Sequence, residues 1–248
     1  NFFARIFFVS SFLIRLSAYP RKYFRNMSER QSKLVFAGCS FTDGRWPVER
    51  VPFSKLTADI LGYPYLHLAA SAGSNARSWR VVVGGILDGT ITPEDILIVQ
   101  YTEANREEFW APGINVDACY NGGIIRAKVN SYKNKWYSRF SEFLRLWETV
   151  HLNNDYQLEK FRVMDAMFQA FLQSRGFKNV VFIKTVYTPC WNLLPGYSQL
   201  GIDVTDLSKK DGNWDSVNDK LPGYHLTQQG HDEVARVLAE HLRVHFSK

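Results

Sequence analysis

Four short apolar runs, each handing over to a polar loop and then to a helical pattern, constrain the fold of this chain more than any other feature. They are "KLVFAG" (33–38), "YLHLAAS" (65–71), "DILIVQYT" (95–102) and "NVVFIKTVY" (179–187). A strand with one wet face alternates apolar and polar residues, whereas a strand covered on both faces reads as a continuous apolar run. Helical spacing recurs between and after these runs. "PFSKLTADIL" carries Phe53, Leu56 and Ile60 and stops at Gly62. Trp79 to Leu87 continues the pattern, and "DYQLEKFRVMDAMFQAFLQSRG" presents Leu158, Phe161, Met164, Phe168, Phe171 and Leu172 as one core stripe. The last helix, "QQGHDEVARVLAEHLRVHF", follows Thr227, a suitable N-cap. Alternation of this kind predicts an α/β fold, a three-layer α/β/α sandwich around a mostly parallel, flavodoxin-like sheet. In such sheets ligands bind beyond the carboxyl ends of the strands.

Domain boundaries follow from composition. Residues 1–27 form a hydrophobic and basic extension, with five Arg or Lys and no acid in the first 26 residues. Its apolar run, Ile6 to Ile14, is too short to span a bilayer. Membrane contact is therefore expected only through residues 1–26, as a surface or targeting helix or not at all. Residues 28–248 read as one domain with an aromatic insertion at about 103–150, which follows the third run and is expected to wall or cap a site there. A long loop is expected from 188 to 226.

Other function classes recede on charge and cysteine usage. The net charge of +6 is scattered, with no basic stripe interleaved with aromatics, so nucleic acid is not an expected partner. Cys39, Cys119 and Cys190 are far apart, which suits neither a disulfide framework nor a zinc site. No metal and no organic cofactor is expected, and reduced thiols fit a cytoplasmic setting.

The first run ends in "GCSFTDG", where Ser40 leaves the strand at a turn closed by Asp43-Gly44. Acyl transfer requires a nucleophile, a base to take its proton, and donors where an oxyanion develops. Ser40 supplies the first, and His225, just before the last helix, can act as base. "SAGSN" (71–75) offers backbone N–H groups at a helix start, and "YTEANR" (101–106) adds the side chains of Thr102 and Asn105. A phosphate-cradling role for "GCSFTDG" is disfavoured, since the loop has neither Lys nor a Gly-rich run.

These blocks resemble the SGNH (GDSL-type) hydrolases. "GCS" stands where the family has Gly-Asp-Ser, "HLTQQGH" (225–231) matches its last block, and "HLAASAGSN" approximates the second. The resemblance covers about residues 33–244. It implies Ser40 as nucleophile and first oxyanion donor, Gly73 or Ala72 as a second backbone donor, and His225 as base. Two blocks depart from the family. "YTEANR" replaces the third, leaving Thr102 or Asn105 as side-chain donor, and Pro222 stands where the orienting Asp belongs, leaving Asp219, Asp215 or a Ser-His dyad. His231 is expected to be structural. The implied activity is hydrolysis of a small acyl or acetyl ester, free or on a carbohydrate, with acyl transfer or a catalytically decayed binding module on the same fold as alternatives. A chain beginning at Met27 is expected to fold and keep its activity, as circular dichroism and ester turnover would show. Loss of both would mean that the extension covers core surface.

Overall fold

The computed structural model describes residues 31–44, 50–71, 73–104, 106–111, 114–118, 154–184, 197–200 and 225–246. Packing divides the chain into Asn1–Gln31 and Ser32–Lys248. The readings of residues 1–26 lie outside the described residues, as do those from Tyr120 to 150.

Leu34–Ala37 (β1) lies between Tyr65–His67 (β2) and Ile96–Gln100 (β3); Val180–Ile183 (β6) and Ser198–Leu200 (β7) continue the sheet beyond β3. Every neighbour in the order β2-β1-β3-β6-β7 is parallel, with Leu34 opposite both Tyr65 and Ile96 and Leu97 opposite Val180. The α/β class with a parallel central sheet is thus as expected. The hairpin Glu107–Ala111 (β4) and Ile114–Ala118 (β5) is antiparallel and forms a separate sheet inside the insertion.

The pleat divides the strand residues between two cores. Leu34, Phe36, Ile98 and Ile183 pack on one face with Phe53 of Phe53–Leu61 (α2) and Leu238 of Gln228–Phe246 (α5). Val35, Leu97, Val99 and Phe182 pack on the other with Trp79 of Asn75–Leu87 (α3) and Phe161 and Leu172 of Asn154–Ser174 (α4). Burial on both faces is the reason β1, β3 and β6 show no alternation, whereas β2 at the sheet edge is partly exposed. Each buried Leu, Ile, Val or Phe contributes about 1.5–3 kcal/mol of transfer free energy. At the opposite, amino edge the Asp95 carboxylate accepts from Lys33 N (3.1 Å), Lys33 Nζ (2.8 Å) and Thr92 N (2.9 Å), joining β1 to β3 at their starts.

Local signals account for the helix ends. Gly62 takes φ 70°, a conformation open to glycine, and closes α2 by donating to Ala58 and Asp59. Ser74 caps α3 by accepting from Arg77 N at 3.1 Å, so that helix begins four residues before the expected Trp79. The Thr227 hydroxyl accepts from Gly230 N at 3.1 Å, as its capping role requires.

Two expectations need correction. The segment 188–226 contains β7, which joins the sheet edge through backbone pairing to β6 and shows no apolar run in sequence. On α4, Met164 is 40 % exposed, and the inward stripe is Gln157, Phe161, Asp165, Phe168, Gln169 and Leu172. Asp165 and Gln169 occupy that stripe because they find partners there. The Tyr101 hydroxyl donates to Asp165 Oδ1, and Gln169 Nε2 donates to Oδ2 at 2.7 Å.

Two buried titratable groups give the fold opposing pH dependences. Burial raises the Asp165 carboxyl to about 6, against the lowering effect of its hydrogen bonds. His231 accepts the Phe53 N–H at Nδ1 (3.2 Å), locking the start of α5 to the start of α2. Burial, with the nearby charges of Arg50 and His225, lowers His231 from 6.5 to about 4. The unfolded chain therefore takes up the His231 proton first as pH falls below 6.5, and this contribution to stability, about 3 kcal/mol, is lost toward pH 4. The Asp165 contribution, also about 3 kcal/mol, is full below pH 3.8 and lost as pH rises through about 6. Urea unfolding at pH 4 to 7 is expected to separate them. On going from pH 4 to pH 7, Asp165→Asn should gain about 3 kcal/mol relative to wild type and His231→Asn should lose a similar amount. Parallel pH curves for all three proteins would contradict this assignment.

Candidate active site

Gly38 ends β1 against the side-chain amide of Gln100, the last residue of β3. A Cβ at Gly38 would lie 2.7 Å from both Gln100 Oε1 and Thr42 Oγ1, so only hydrogen fits. Gln100 Oε1 accepts from Cys39 N (2.9 Å) and Thr42 Oγ1 (3.1 Å), and its Nε2 donates to Tyr101 O (2.5 Å). Cys39 is thereby held extended at the head of a single helical turn, Ser40–Asp43 (α1), which Gly44 closes at φ 68° by donating to Ser40 O. As the first residue of that turn, Ser40 has no intrahelical acceptor for its N–H. Among the described residues that N–H makes no hydrogen bond, although Ser40 is only 7 % exposed.

His225 comes from the far end of the chain and brings Nε2 to 2.9 Å from Ser40 Oγ. Its ring stacks on Phe41 at 5.4 Å between centroids and 19° between planes. The next residue is also fixed, since Arg50 Nη1 donates to Leu226 O. Val51 N and O pair with the Gln228 amide at 3.0 and 3.2 Å, which ties the start of α5 to the segment before α2. If Ser40 donates to Nε2, the neutral ring carries its hydrogen on Nδ1.

The other sequence-expected residues divide into two groups. Thr102 is placed two residues past the end of β3, buried at 3 % exposure. Its backbone is clamped by the Asn75 side chain, which accepts from Thr102 N (2.9 Å) and donates to Thr102 O (3.1 Å) and Glu103 O (3.3 Å). The Thr102 hydroxyl makes no hydrogen bond among the described residues. Gly73 packs against the strand end that leads to Ser40, since a Cβ there would meet Gly38 O at 3.2 Å and Ala70 O at 2.9 Å. Its N–H donates to Ala70 O at 2.9 Å and would serve an oxyanion only by leaving or sharing that bond. Ala72, Asn105, Asp215 and Asp219 lie outside the described residues.

Gln100, Asn75, Phe41, Arg50 and Asp43 build the site and were not singled out by sequence reading. Only Gln100, a lone polar residue closing an apolar strand, carries a local signal. Cys39 is a buried free thiol, and Cys119 and Cys190 lie outside the described residues. Among the described residues no three His, Cys, Asp or Glu side chains cluster as for a metal, and no helix is long and apolar enough to cross a membrane.

No protein-family model matches this chain, and no curated protein does. Among solved structures it is similar to the salicylyl-acyltransferase SsfX3 from a tetracycline biosynthetic pathway. That likeness has a TM-score of 0.40 and 13 % identity, and covers 89 % of this chain and 58 % of the other. The chain therefore spans little more than half the length of that protein, and the TM-score is too low for the likeness to carry functional weight.

Gly38→Ala tests the packing under Ser40. Two donors hold Gln100 Oε1 where the methyl would go, so the substitution is expected to destabilise the domain by about 1–3 kcal/mol in urea unfolding. A change below about 0.5 kcal/mol would show that the Gln100 seat yields.

Proposed function

We propose that the Ser32–Lys248 unit is a serine-type acyl-ester hydrolase of the SGNH kind, with Ser40 as nucleophile and His225 as base. The observation that carries this reading is the 2.9 Å contact between Ser40 Oγ and His225 Nε2, made by residues 185 apart in sequence. In the proposed reaction Ser40 Oγ attacks the ester carbonyl while Nε2 takes its proton. The same proton then goes to the leaving alkoxide. Water, or an alcohol in its place, attacks the acyl-enzyme with His225 again as base, and Ser40 is regenerated. Base catalysis of this kind contributes about 10²- to 10⁴-fold. Each oxyanion donor contributes about 10²- to 10³-fold.

The Ser40 N–H and the Thr102 hydroxyl are the proposed oxyanion donors, supported by their lack of other partners among the described residues. Gly73 and Asn105 are further candidates. Asp219 is proposed to hold the His225 Nδ1–H, with Asp215 or a backbone carbonyl as alternatives, and Phe41 packs on the face of the ring. The scheme calls on no metal or organic cofactor. The proposed substrate is a small acyl or acetyl ester, with the 103–150 insertion as the wall that would meet its alcohol portion, a carbohydrate in the version favoured by its aromatics. The intact Ser40–His225 contact favours an enzyme over a decayed binding module.

Wild type is expected to hydrolyse short p-nitrophenyl esters and Ser40→Ala to fall to background; wild-type turnover by Ser40→Ala would end the assignment. Loss of a true orienting Asp costs up to about 10⁴-fold, so Asp219→Asn within about threefold of wild type excludes that residue.

A further inference from the structure

Ser40 has a second buried neighbour with unusual reach. Asp43, at the end of the same helical turn, is 3 % exposed, and its carboxylate extends to a different segment of chain. Oδ2 accepts from both Ser71 N (3.0 Å) and Ser71 Oγ (2.8 Å). Oδ1 lies 3.2 Å from His67 Nε2, whose other ring nitrogen is 3.2 Å from Ser54 Oγ. A ring accepting from Ser54 at Nδ1 carries its hydrogen on Nε2 and donates it to Asp43. The carboxylate thus gathers donors from β2 and from the turn after it.

The turn it reaches lies against the end of β1 that leads to Ser40. Ser71 sits between Ala70, whose N–H donates to Gly38 O (3.2 Å), and Gly73, which packs on that same carbonyl. The 70–73 turn therefore has two ties to the strand-end that presents Ser40. One is a backbone bond to Gly38, and the other is the Asp43 carboxylate on Ser71. Hydrogen bonds to a charged acceptor are the stronger kind, and a buried one without its charge would leave Ser71 N–H poorly satisfied.

We propose that Asp43 is a positioning residue for the candidate site, tying the helical turn that carries Ser40 and its N–H donor to the turn that carries Ser71, so that the Ser40 N–H is held where an oxyanion would develop. This inference rests on the hydrolase reading above. Asp43 touches no reacting atom; it acts through Ser71. A small displacement of the Ser40 turn separates its N–H from the developing charge, and errors of about 1 Å in such sites lower rates by about 10²-fold.

The test pairs amide hydrogen exchange with kinetics on the full chain. Asp43→Asn puts an NH2 group where an acceptor stood, so exchange at Ser71 is expected to speed up by about tenfold or more while the β1 and β3 amides stay protected. With a p-nitrophenyl ester, kcat should fall by about 10- to 100-fold and KM stay within about twofold. Ser71→Ala should reproduce part of the kcat loss, and Ser71→Thr, which keeps the hydroxyl, should recover it. These variants decide the matter if Asp43→Asn does not fold. Unchanged Ser71 exchange in Asp43→Asn, or Ser71→Ala with wild-type kcat, overturns the inference in an enzyme that is otherwise active. If wild type turns over no ester, it is the hydrolase reading that fails. Exchange at Ser71 then still decides the link between the turns.

Discussion

The side-chain amide of Gln100, inserted between the carboxyl ends of β1 and β3, holds together the backbone groups from which the candidate site is built. Its oxygen serves Cys39 N–H and the Thr42 hydroxyl while its nitrogen serves Tyr101 O. All three contacts are buried, so each substitutes for water that cannot reach these groups. Gly38 is the complement of this arrangement, because the amide occupies the space that a side chain would need. The result is a helical turn whose first N–H, that of Ser40, has no acceptor among the described residues. In the proposed reaction that N–H is available to the developing oxyanion.

The layered architecture explains how residues so distant in sequence meet there. Parallel strands deliver all their carboxyl ends to one edge, and each crossover helix returns the chain for the next delivery. Ser40 follows β1, the 70–73 turn follows β2 and Thr102 follows β3. His225 arrives last, immediately before α5, and the His231–Phe53 contact and the Gln228–Val51 pair seat that helix against α2. The two helical layers also bury one titratable group each, Asp165 and His231, with shifts of opposite direction. Asp165 lies apart from the Ser40–His225 couple, whereas the charge of His225 contributes to lowering His231, so that part of the fold's pH response is linked to the candidate site.

Much of this was legible in sequence for a physical reason. Leu34–Ala37 and Ile96–Gln100 read as strands because burial on both faces imposes an unbroken apolar run. Ser198–Leu200 did not, since an edge strand three residues long is held by backbone bonds that any sequence can make. Met164 was misplaced because periodicity counts apolar residues, whereas Asp165 and Gln169 take the inner positions through partners supplied by Tyr101 on another element. Ser40 and His225 stood out by chain order and block resemblance. Asn75 and Asp43 could not, since each acts on backbone groups 27 or 28 residues away and leaves no pattern beside itself, and Gln100 left only the local sign of a polar residue closing an apolar strand. The resemblance also pointed to Gly73, whose N–H the structure shows donated within its own turn.

The central claim is that Ser40 and His225 work as one chemical couple, and covalent labelling by a fluorophosphonate with mapping of the modified peptide tests it most directly. A single label on Ser40 is expected, formed rapidly in wild type and slowed by about 10²-fold or more in His225→Ala, since the base is what makes the hydroxyl nucleophilic. Labelling elsewhere, or labelling of Ser40 at the same rate without His225, would contradict it.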